Sequence, residues 1–167
     1  MDVLDELAEF RLNAELGGLR VLRAGAQNDV SWAEERVSSL NSEIQSMQES
    51  INKAKSYRDI ELADLKAKSK QVHDDLVKAG KEVNKGMDES STQSGVEKIS
   101  SDSAGTIDSI CAACNSLIKR LNGQLGDLRS EREGAEADVV SAKARRDSLD
   151  GQISSTQSKL DGLRPGS

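Results

Sequence analysis

The chain has 167 residues, 31% of them charged and only 2% aromatic, with a net charge of −6 and a single proline, Pro165. So few aromatic side chains exclude an ordinary compact core, and an acidic balance with pI near 4.9 excludes a basic nucleic-acid footprint over the chain as a whole. The apolar positions are too regularly spaced for disorder, and a nearly proline-free stretch rich in Ala, Leu, Glu, Lys, Arg and Ser predicts long uninterrupted helices.

The N-terminal stretch "MDVLDELAEF" is acidic and broken by charges, unlike a signal peptide. No apolar run approaches the ~18 residues of a membrane span. A cytoplasmic chain, or one exported by a leaderless route, is the expectation, with no membrane insertion. Residues 2–26 carry heptad spacing at Val3, Leu7, Phe10, Ala14, Gly17, Val21 and Ala24. They predict a separate N-terminal helix that ends in "AGAQND" and folds back, with Phe10 against Trp32; its alternative is to continue straight into the next helix.

From Val30 the apolar positions run Val30, Ala33, Val37, Leu40, Ile44, Met47, Ile51 and Ala54, alternating steps of three and four. That is an a/d seam. Ser31 and Glu34 have the spacing of a capping box, which predicts a helix start near residue 30. The frame then slips: eleven residues separate Ile51 from Leu62, the length of a stutter, before the seam resumes at Leu62, Leu65, Val72, Leu76, Ala79 and Val83. Gly86 and the serines after it end the pattern, so the first long helix is predicted over 30–88. Lys66, Lys68, Lys70, Lys78, Lys81 and Lys85 are interrupted by acids and lack aromatics for base stacking, which reads as a solvated face.

Residues 89–105 are rich in Ser and Gly and predict a flexible connector. The second long helix is predicted over 106–163, ended by Arg164 and Pro165. Its seam comprises Ile107, Cys111, Cys114, Ile118, Leu121, Leu125, Leu128, Arg132, Ala135, Val139, Ala142, Arg146, Leu149, Ile153, Thr156, Leu160 and Leu163. Two helices of similar length with narrow apolar stripes predict an all-α fold: a long antiparallel two-stranded coiled-coil hairpin with an additional N-terminal helix. A turn between Val83 and Ile107 would pair residues whose numbers add to about 193, as steps along two antiparallel a/d seams. Glu61 would then meet Arg132, and Arg58 would meet Ala135 and Glu136. Cys111 and Cys114 would face Val83 and Ala79–Gly80.

The only two cysteines form C-x-x-C within "DSICAACNSLIKRL". At consecutive seam positions they read first as small core residues. A dithiol redox site is usually set in a βαβ context, and no strand pattern accompanies this one. The spacing also resembles the apical zinc hook of long coiled-coil DNA-repair ATPases, which would imply a metal-linked dimer through Cys111 and Cys114; a redox-linked dimer through the same pair is the companion alternative. The hook carries a proline between its cysteines, where this chain has Ala112 and Ala113. The lone His73 is expected to face solvent.

Tyr57 followed by Glu61 is similar to the loose export signal of type VII secretion substrates, although it lies mid-helix with no Trp-x-Gly turn beside it. The build is similar to the helical accessory partners of toxins exported by that pathway, and that resemblance implies a secretion or targeting role. No set of nucleophile, base and converging carboxylates can be assembled from two narrow stripes, so neither enzyme activity nor a cofactor is expected. The expected function is an adaptor, spacer or assembly factor for a protein partner that presents helices, with homodimerisation open. Ile110 and Leu117, beside the seam, form the candidate docking patch.

Overall fold

A computed structural model describes residues 3–83 and 89–163, and all of them are helical. Helix α1 spans Val3–Ser56, a π-helical turn spans Tyr57–Glu61, α2 spans Leu62–Val83 and α3 spans Glu89–Leu163. The start at Asp2, the end of the first long helix at Gly86 to residue 88, and the stop at Arg164 and Pro165 lie outside the described residues. The chain divides into two compact units, Met1–Glu43 with Leu128–Ser167 and Ile44–Asp127.

In the first unit, α1 carries one heptad frame whose buried members are Leu16, Ala26, Val30, Ala33 and Leu40. The expected break at "AGAQND" is absent, and so is the fold-back: Phe10 and Trp32 are 75% and 65% exposed. Glycine costs a helix about 1 kcal/mol, but here the flanking residues are held from α3. Arg146 donates to Gln27 Oε1 at 3.4 Å, Arg145 lies 3.4 Å from Asp29, and Arg23 donates from Nε to Asp150 at 2.9 Å. Ser31 and Glu34 are mid-helix rather than a cap. Ser31 Oγ donates back to the Gln27 carbonyl, and Glu34 pairs with Lys143 at 2.7 Å.

The inward frame at the N-terminus also differs from the expected one. Carrying the frame of residues 30–54 backwards places Ala26, Arg23, Leu19, Leu16 and Leu12 inside, and these positions are buried or half-buried. Val3, Leu7, Phe10 and Val21 are exposed instead. On α3 in this unit, Ala135, Leu149, Thr156 and Leu160 are buried.

In the second unit the eleven-residue step is present, with Ile51 fully buried and Leu62 3% exposed. The π turn absorbs it. The Leu62 N–H donates to the Tyr57 carbonyl, five residues back instead of four, which accommodates one extra residue without ending the helix. Beyond the turn the inward face is rotated from the expected one. Leu65 and Val72 are 47% and 57% exposed, while His73, Val77 and Gly80 are half-buried.

The segment from Glu89 onward is helix, not a flexible connector. Its seam runs back from Ile107 through Ser103, Ser100 and Val96, all half-buried. On its exposed flank, Thr106 Oγ1 donates to the Asp102 carbonyl and Ser109 Oγ to that of Gly105, each one turn back. From Ile107 to Leu163, every position of the expected seam is buried or half-buried.

Candidate functional site

The residues with most chemical potential lie in the second unit, around the π turn. Arg58 takes an inward position there and is fixed by its own neighbour. Its Nε and Nη2 donate to the two carboxylate oxygens of Asp59, at 2.6 and 2.9 Å, and its Nη1 donates to Asn115 Oδ1 at 2.9 Å. The bidentate bond to Asp59 is the main cause that raises the Arg58 pKa and lowers that of Asp59. Lys66 and Asp108 are 3.8 Å apart two turns further on. An open groove along this stretch is lined by Arg58, Leu62, Ile107, Cys111 and Asn115 among others.

These contacts replace the expected register. Arg58–Asn115 and Lys66–Asp108 have numbers adding to 173 and 174, about twenty below the expected value. The physical reason is the helical start at Glu89: α3 begins pairing well before residue 106, so each of its residues meets an earlier part of the chain. Arg58 therefore meets Asn115, not Ala135 and Glu136. Arg132 belongs to the first unit, where its Nε lies 3.4 Å from Glu136 Oε1 on its own helix. That separation is an ion pair by distance without hydrogen-bond geometry, so this buried Nε has no hydrogen-bond partner. Glu61 is exposed in the second unit.

Cys111 and Cys114 are free, half-buried thiols on the α3 seam. Cys111 shares its groove with Arg58 and Leu62, not with the Val83 end of α2. Among the described residues no three His, Cys, Asp or Glu side chains converge as a metal set. Packing is the role this placement supports.

His73 is not solvent-facing. It lines an apolar groove with Leu65, Val72, Leu76, Val96 and Ile99, and its Nδ1 is buried without a hydrogen-bond partner. The one-residue offset beyond the π turn brings it inward. Only the eleven-residue spacing of Ile51 and Leu62 signalled this in the sequence.

Ile110 and Leu117 are 37% and 38% exposed, one heptad apart beside the seam of α3. A more exposed apolar surface lies on the outward side of α1, in Val3, Leu4, Leu7, Phe10, Val21 and Leu22. Sequence spacing did pick out most of these residues, but as a core. No helix among the described residues is long and apolar enough to cross a membrane. No protein-family model, curated protein or solved structure matches the chain.

Proposed function

We propose that this protein is a non-catalytic interaction module, an antiparallel coiled-coil hairpin that serves as adaptor, spacer or assembly factor for a protein partner presenting helices. The observation that carries the reading is the concentration of burial on heptad seams. Ile51, Leu62, Ile107, Ile118 and Leu125 in one unit, and Leu16, Val30, Leu40, Leu149 and Leu160 in the other, all occupy such positions. Helices used in this way spend their apolar residues on each other and offer a partner their flanks. The antiparallel part is supported by the order of partners: Arg23, Asp29 and Glu34 ascend while Asp150, Arg145 and Lys143 descend. The second unit repeats this, with Arg58 and Lys66 against Asn115 and Asp108.

Ile110 and Leu117 are the docking residues in this reading. A photo-crosslinking side chain at either position, in cells of the source, should capture one defined protein that a crosslinker at exposed Asp161 does not. The double change Ile110→Glu/Leu117→Glu should abolish that capture while helicity is retained. Equal capture at all three positions, or capture indifferent to the double change, would remove the docking assignment.

A further inference from the structure

The first 24 residues contain a second heptad stripe, on the side of α1 away from its seam. Val3, Leu7, Phe10, Ala14, Gly17, Val21 and Ala24 alternate steps of four and three, as an a/d seam does. At ~100° per residue they centre nearly opposite Leu12, Leu16, Leu19, Arg23 and Ala26. Val3, Leu7, Phe10 and Val21 are 61–75% exposed, so the fold of this chain leaves the stripe uncovered. Gly17 and Gly18 sharpen the point. A Cβ at either would meet nothing within 4 Å, so no close approach inside the chain requires glycine there. Two mid-helix glycines weaken a helix, and here they open a notch in an apolar stripe.

We propose that this stripe pairs with the same stripe of a second copy of the chain, antiparallel, about a two-fold axis level with Leu12. In that register large residues meet small ones. Phe10 lies against Ala14, Leu7 fills the notch at Gly17, and Val3 meets Val21, each contact occurring twice by symmetry. The flanks agree in charge: Glu6 of each copy comes beside Arg20 of the other, and Asn13 meets Asn13. Arg11 meets its own copy beside the axis, an exposed like-charge contact that keeps the pairing modest. The stripe is flanked by both signs of charge, which suits a copy of itself better than an anionic lipid surface. Six turns of helix bury a small interface, so the dimer is a micromolar one.

Sedimentation equilibrium of the full chain tests this, with helicity followed by circular dichroism. The parent chain should form a dimer in the micromolar range. Phe10→Glu should weaken it at least tenfold with helicity unchanged, and Val21→Glu, in the other half of the stripe, should do the same. Glu6→Arg should weaken it several-fold and Glu6→Arg/Arg20→Glu should recover most of that loss. Arg11→Gln should tighten it, which no parallel or off-register pairing near this axis predicts. A chain that stays monomeric at 100 μM overturns the proposal, and if that monomer binds anionic vesicles the stripe belongs to a lipid surface. A dimer indifferent to both Phe10→Glu and Val21→Glu also overturns it.

Discussion

The seam is filled differently in two stretches of this molecule. In the first unit, from Leu16 to Leu40, inward positions other than Arg23 hold leucine, valine and alanine, and five of them are under 6% exposed. In the second unit, from Leu62 onward, inward positions include Ser69, His73 and Gly80, while Leu65, Val72 and Leu76 are 41–57% exposed. Both stretches are helical and both pack on α3. The difference shows that a residue's place in the helical frame, not its hydrophobicity, decides whether it is buried. One extra residue in the π turn rotates the frame, so that Leu65 and Val72 pass to the flank while His73 turns in.

The largest effect that separates the stretches is a truncation. Leu40→Ala, in the first stretch, should cost about 2–5 kcal/mol, the range for a buried leucine. Leu65→Ala should cost no more than about 1 kcal/mol, because nearly half of the side chain is already in water. Denaturant unfolding of the two variants measures the gap, and equal losses would contradict the rotated frame.

A smaller effect of opposite sign is expected at the histidine. His73→Leu should raise stability by about 1 kcal/mol, because it removes a buried nitrogen that no group satisfies and adds apolar surface to the groove. A loss of stability would mean that His73 has a partner in solution.

The smallest effect is expected from removing a residue outright. Deleting Ile60, 65% exposed in the π turn, lets an ordinary α-helix join α1 to α2 with Arg58, Leu62, Ser69 and His73 still inward. Stability should change by roughly 1 kcal/mol or less. Deleting Asn41, in an unbroken part of the frame, should instead destroy cooperative unfolding, because it moves one side of the seam off its partner. If both deletions are equally damaging, the turn does more than absorb one residue.

Composition and spacing by themselves determined the helical class and the whole α3 seam from Ile107 to Leu163. They also determined the seam from Val30 to Ala54 and the slip between Ile51 and Leu62. Each rests on a local period that a helix must obey whatever it packs against. Local signals also pointed to breaks at "AGAQND" and over 89–105, and to a core along Val3, Leu7 and Phe10. Tertiary structure decided otherwise. Helix propensities differ by about 1 kcal/mol per residue or less, and pairing with α3 outweighs them. The register was likewise a tertiary outcome: a heptad seam repeats every seven residues and so permits many offsets. The helical start at Glu89 selected the one that joins Arg58 to Asn115 in the second unit, and in the first unit Arg23 is joined to Asp150.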